Sequence, residues 1–291
     1  MSLDFRKLLR NNVTYISLVS LVLIVVLGAG TGVHSFMSQY DLVRRLFGKY
    51  PDSLALISPS QYWVGLSHDF FSSFFHFIYP VLTALPVVDM IYKDKVSGNL
   101  HYQLVRMSRY RYFATRFAFC FLTSFALFVL PLLVGIIITN LMAGTWDDSS
   151  FSAAYDRLIH GTAVIGDSTF LSAKKQLFSN LMVVSPYAYI LVYYFIGGLY
   201  AAGYASFGLG ASFFLNNRYL VLLMPQCLYI GGWLFFTLLH VPQWDPYNII
   251  DPKQPVTDLS YLAIVVDFGV LMVIAALLYL NGVRRNIDVL S

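Results

Sequence analysis

The chain has 291 residues, 58% of them hydrophobic and only 12% charged, with a formal net charge of +4. Soluble domains carry roughly 25% charged residues, and a water-exposed fold this poor in charge would present aggregating apolar patches. A bilayer accepts such a surface, so the composition reads as an all-α membrane protein. The modest charge, with no basic run interleaved with aromatics, points away from nucleic acid.

All 15 acidic residues are Asp. The lack of Glu excludes H-E-x-x-H zinc sites and Glu-based intramembrane proteases. Cys120 and Cys227 lie in apolar stretches, away from any C-x-x-C pair or His cluster. They read as thiols facing core or lipid.

In chain order, residues 1–11 come first. At 100° per residue, Phe5, Leu8 and Leu9 share one face, and Arg6, Lys7 and Arg10 share the opposite one. That pattern predicts a short amphipathic helix at the membrane interface, although Leu3 falls on the polar face and a plain basic tail is the simpler alternative. A span needs roughly 20 mostly apolar residues. Six stretches qualify, at about 15–36, 70–92, 117–142, 187–209, 220–239 and 259–280. The first exceeds the roughly 7–15 residues of a signal-peptide core, so it is read as a retained span.

Basic residues set the orientation. Arg6, Lys7, Arg10, Lys93, Lys95, Arg106, Arg109, Arg111, Arg116, Arg218, Arg284 and Arg285 fall on one side, in short loops and tails. The other seven of the 19 are spread over long loops at about 37–69, 143–186 and 240–258. By the positive-inside rule the denser side is cytosolic, with both termini inside. The chain reads as one six-span domain without linker or convincing repeat.

Within the spans, four features stand out. Gly198, Ala202, Ser206 and Gly210 recur every fourth residue in the fourth span, and Gly28 and Gly32 in the first. Such stripes let helices approach closely, as an internal seam or a dimer face. Asp267, in the sixth span, costs roughly 2.5–3.5 kcal/mol to insert and must face protein or water. Three roles stand open for it: a hydrogen bond to a nearby Tyr or Ser, a place in a translocation path, or proton coupling. His76 in the second span is a weaker polar case. Pro80, Pro86, Pro131 and Pro225 should kink or loosen their helices. In the outer loops, Tyr40, Tyr62, Trp63, Trp146, Trp244 and Tyr247 read as an interfacial aromatic belt, and 152–159 suits a surface helix.

The loop 93–116 is the one substantial inner segment. Ser97-Gly98 should end the second span, since glycine readily leaves helical geometry. Leu100, Leu104 and Val105 then recur at helical spacing, with Gln103 and Arg106 beside them. A short surface helix of this kind either docks a partner or lies against the inner ends of the spans, and spacing alone leaves both open.

This loop resembles the first cytoplasmic loop of the type-2 ABC exporter permeases. In that family an acidic patch leads to a Gly-Thr-Leu-like turn and a short coupling helix. A Pro-x-Ser-Arg-like segment then precedes an aromatic and a basic residue at the start of the third span. The matching residues here are Asp89 and Asp94, Ser97-Gly98-Asn99-Leu100, then Met107-Ser108-Arg109, Tyr112 and Arg116. The chain departs from the pattern with Asp for Glu, Asn99 for Thr and no Pro.

The resemblance implies a half-transporter in a plasma membrane of bacterial type. It would pair with a second permease copy or a similar chain, embedded in membrane lipid. Two copies of a cytosolic ABC ATPase subunit would drive it, with ATP and Mg held on that partner and no cofactor or catalytic residue in this chain. The coupling role would fall on Asp94, Ser97, Gly98, Leu100, Gln103, Leu104, Arg106 and Arg109. The chain lacks the G-x-x-x-x-G-K-[ST] phosphate loop, in keeping with a separate motor. The cargo implied is an amphipathic peptide, of the bacteriocin or antimicrobial kind, or a lipid-like molecule. The competing reading is a stand-alone ion- or proton-coupled carrier using Asp267 and His76. An intramembrane enzyme fits least, since no paired Asp, Gly-x-Ser-x-Gly elbow or His cluster stands out.

Overall fold

A computed structural model of the chain describes residues 8, 10–106, 108–166, 169–171, 177–254 and 259–285. The described residues are predominantly helical. The principal helices are α1 (Asn12–Phe47), α2 (Phe70–Ala84), α3 (Met90–Val96), α4 (Asn99–Arg106), α5 (Arg109–Ala143), α6 (Ser149–Ile159), α7 (Pro186–Ala211), α8 (Arg218–Leu238) and α9 (Tyr261–Arg285). The described strands are β1 (Ala163–Gly166) and β2 (Thr169–Leu171), an antiparallel hairpin in the loop after α6.

Five helices, α1, α5, α7, α8 and α9, are long and apolar enough to cross a membrane. At 1.5 Å rise per residue, the 36 residues of α1 and the 35 of α5 extend well beyond a hydrocarbon core of about 30 Å. Both outrun the stretches expected from hydropathy. Asn11 starts α1 as an N-cap, its side chain accepting from the Val13 amide at 3.2 Å.

The second apolar stretch is broken where one span over 70–92 was expected. Helix α2 stops at Ala84 after 15 residues, and α3 resumes at Met90. Pro86 has no amide hydrogen and its ring opposes the preceding turn, so residues 85–89 form a turn. Side chains of neighbouring helices bind backbone carbonyls around the two prolines. Pro80 leaves the His76 carbonyl without its helical donor, and the Tyr229 hydroxyl donates to it at 2.8 Å. Gln226 donates to the Phe77 carbonyl at 2.9 Å, and Ser124 to the Thr83 carbonyl at 3.1 Å.

Helix α7 is the axle of the bundle. Its membrane-length window is 72% buried, against 17% for α8 and for α9. The stripe Gly198, Ala202, Ser206 and Gly210 is an internal seam. A methyl group on Gly198 would stand 2.8 Å from the Phe125 ring and Val129 of α5, and one on Gly210 would meet the α9 backbone at Tyr279. Ala202 and Ser206 are wholly buried. In α1, the stripe faces the loop that precedes α2, where Gly32 lies against the Tyr62 backbone.

Two apolar clusters fill the interior. One, around Trp63, Phe75, Tyr79, Phe128, Tyr200 and Tyr229, occupies the middle and the loop-rich end. The other, around Val88, Ile91, Phe113, Cys120, Leu209 and Tyr279, occupies the opposite, basic end. Cys120 is buried there, while Cys227 on α8 is exposed.

The loop-rich end is folded rather than slack. Arg157 of α6 pairs with Asp52, whose second oxygen accepts the Val164 amide of β1 at 3.2 Å. The Arg157 hydrogen bond holds the Asp52 carboxyl below the usual carboxylate range. Trp63 departs from the expected aromatic belt. It is fully buried, and its indole Nε1–H donates to Asn140 Oδ1 at 2.9 Å. The surface helix expected over 152–159 is present as α6, three residues longer at its start.

Candidate functional site

The loop between α2 and α5 makes a compact unit at the basic end. Helix α3 ends at Val96, Ser97 caps it, and Gly98 takes φ +70°, the left-handed conformation that favours glycine. That turn sends the chain into the eight residues of α4.

A buried polar network fastens α4 to the bundle. Asp94 of α3 is 8% exposed and Arg116 of α5 is 3% exposed. Arg116 Nη2 donates to Asp94 Oδ2 at 2.7 Å, and the Tyr112 hydroxyl donates to the same oxygen at 2.7 Å. Arg116 Nη2 also reaches Gln103 Oε1 of α4 at 3.4 Å. The guanidinium lies over the Tyr112 ring at 5.2 Å, a favourable cation–π arrangement. One arginine thus ties three helices together, and Tyr112 and Arg116 are the aromatic and basic residues of the family-like motif.

Helix α4 has two different faces. Leu100 and Leu104 turn inward against the cluster of the basic end, with Gln103 on the same side. Tyr102 and Val105 point away, at 72% and 77% exposed. Val96 and Tyr110, just before and after α4, are 71% and 84% exposed. The helix therefore leaves an apolar patch open at the end of the bundle where basic residues are dense. Ser97 and Gly98 are exposed beside it. Arg106 closes α4, and its side chain is outside the described residues. Arg109 turns toward α9, donating to the Val283 carbonyl at 2.5 Å.

A second clamp at this end was not foreseen from sequence. Asp89, fully buried, accepts from Arg218 Nε at 2.7 Å and pairs with Lys93 at 3.0 Å. The Tyr92 hydroxyl donates to the Asn216 carbonyl at 3.1 Å. The α7–α8 turn is thereby locked to the turn before α3. Asp89 of the acidic patch and Arg218 among the inner basic residues were each visible in the sequence, but not their pairing.

Of the expected interfacial helix, Phe5, Arg6, Lys7 and Leu9 lie outside the described residues. Leu8 packs against the cluster of the basic end, and Arg10 is exposed. Leu8 and Asn11 wall a cavity of about 220 Å³ together with Pro86, Asp94 and Arg116.

The intramembrane polar residues are not brought together. Asp267 lies beside the Tyr200 hydroxyl, which donates to the Ile264 carbonyl at 3.3 Å. His76 is 3% exposed, with Nδ1 at 2.9 Å from the Ser72 carbonyl. No hydrogen bond or ion pair among the described residues links the two.

At the loop-rich end a polar cavity of about 550 Å³ opens between α1, the start of α2, α6 and α7, with Tyr62, His68, Asp69, Tyr155 and Lys253 on its walls. Asp69 serves the fold, accepting from the Ser72 amide at 2.7 Å and from Thr31. Among the described residues no group of His, Cys and Asp is arranged to hold a metal ion.

These features define the class, a helical protein with several membrane-length helices, built for a multi-pass life in a bilayer. No family model, no curated protein and no solved structure matches the chain.

Proposed function

We propose that the chain is the membrane-spanning permease subunit of an ATP-driven exporter, working as a pair of permeases on a separate cytosolic ABC ATPase. The proposed topology has six crossings with both termini in the cytosol. Helix α2, short as it is, completes the set by running from the loop-rich end back to the basic end. The positive-inside rule puts the basic end in the cytosol.

The observation that carries the proposal is α4. It is a short helix, anchored to the bundle through Gln103, Arg116 and Asp94, with the exposed side chains of Tyr102 and Val105 on its outer face. A motor gripping that face would move α3 and α5 with it, because Arg116 of α5 holds both Asp94 of α3 and Gln103 of α4. Conformational work of this kind proceeds by rigid-body shift. The resemblance assigned docking to Leu100, Gln103 and Leu104. Because these three pack inward, docking falls in this proposal on Tyr102 and Val105, and the first three set the helix in place. The polar cavity at the loop-rich end suits an exit for an amphipathic peptide or lipid-like cargo.

The test is co-purification from the native membrane. A nucleotide-hydrolysing subunit should accompany the tagged wild-type chain. The double variant Tyr102→Asp/Val105→Asp should lose it while keeping a wild-type elution profile. A chain that purifies without any ATPase, or a variant that retains one undiminished, refutes the proposal.

A further inference from the structure

The basic end carries a second open feature, away from α4. The start of α5 and the end of α9 enclose a groove of about 510 Å³. Its floor is apolar, formed by Phe113, Phe117, Ala276 and Leu280, and no acidic residue lines it. Two arginines stand at its rim. Arg284 is exposed and makes no ion pair among the described residues. Arg109 spends one Nη on the Val283 carbonyl, lies 5.8 Å from the Phe113 ring centre, and leaves its Nε without a partner.

The first turn of α5 adds to this positive field. The Ser108 side chain makes no cap hydrogen bond, and Arg109 and Tyr110 of this 35-residue helix, whose leading amides have no acceptor within the helix, line the groove. Such amides, with the helix dipole behind them, attract anions.

We infer that this groove seats an anionic phospholipid of the adjoining leaflet, its phosphate between Arg109 and Arg284 and an acyl chain along Phe113, Phe117 and Leu280. The charge complementarity decides the occupant. A purely apolar partner would leave two arginines unpaired, and a free anion would leave the apolar floor bare. Depth agrees, because the groove runs from the arginine-rich helix ends into the apolar body of the bundle, as a lipid does from headgroup to tail. Anionic headgroups concentrate in the cytosolic leaflet, the side to which positive-inside orientation assigns this end. The inference rests on residence in a membrane and stands apart from the exporter proposal.

The test reconstitutes the full chain in nanodiscs of equimolar phosphatidylglycerol and phosphatidylcholine and counts retained lipids by native mass spectrometry. The wild type should retain phosphatidylglycerol preferentially. Arg284→Gln, at an exposed side chain that supports nothing in the fold, should lower that retention roughly tenfold, the loss of one charge-assisted hydrogen bond. Ala276→Trp should fill the groove and lower retention of both lipids. Equal retention of the two lipids by the wild type overturns the inference. So does undiminished phosphatidylglycerol on Arg284→Gln or on Ala276→Trp.

Discussion

Replacing Arg116 by Gln removes the cation that ties α3, α4 and α5 together and leaves the Asp94 carboxylate behind. The Asp94 side chain is 11% exposed and the Arg116 side chain 3%, so water from the adjoining cavity replaces the lost partner only in part. Removing one member of a buried pair costs about 3–5 kcal/mol. The Tyr112 hydroxyl stays on Asp94 at 2.7 Å, and a hydrogen bond to a charged group retains about 1.5–3 kcal/mol. The lower end of the range follows, about 3 kcal/mol. At about 2–4 °C per kcal/mol this lowers the melting temperature by about 6–12 °C. The assay is thermal denaturation of the detergent-solubilised chain, read by size-exclusion recovery. The double variant Asp94→Asn/Arg116→Gln buries no charge and should regain most of the loss. An Arg116→Gln protein melting within about 2 °C of wild type refutes the reasoning. A double variant whose loss equals the sum of the singles would refute it equally, since coupled partners are non-additive.

Two further outcomes test other parts of the structure. Asp245 lies in the loop after α8, 1% exposed, and burial pushes its pKa up to about 6. Unfolded, it titrates near about 4. Between those values the folded chain holds more protons, so stability falls as pH rises from about 4 through 6 and levels off above. Melting curves across that window should show this slope for wild type and a flatter one for Asp245→Asn; identical slopes would contradict it. At the α5–α7 seam, a methyl group on Gly197 would lie 2.5 Å from Phe128, so Gly197→Leu should cost about 1–3 kcal/mol by overpacking. Gly231→Ala, with open space around it, should leave the melting temperature unchanged or raised, and equal losses from the two would refute the seam.

What the sequence determined by itself is the chain's solvent and its punctuation. Twenty apolar residues in a row report the bilayer locally, without knowledge of any neighbour, and five of the expected stretches are membrane-length helices. Gly98 is likewise a local signal, legible because one residue's backbone chemistry decides it.

Tertiary structure decided which way faces turn and which charges meet. In sequence, Leu100, Leu104 and Val105 of α4 read as one apolar set at helical spacing, yet Val105 turns outward, 77% exposed. Only the bundle beneath it shows that the leucines go inward. Trp63 reads as an interfacial anchor until Asn140, 77 positions on, supplies its hydrogen bond. Arg218 and Asp89 are separated by 129 positions, so nothing local joins them. Helix α7 is apolar or small on every side, so its periodicity could not separate core from lipid. Its central place emerges only when α5 and α9 pack against its glycines, because burial belongs to the assembled bundle and not to any stretch of chain.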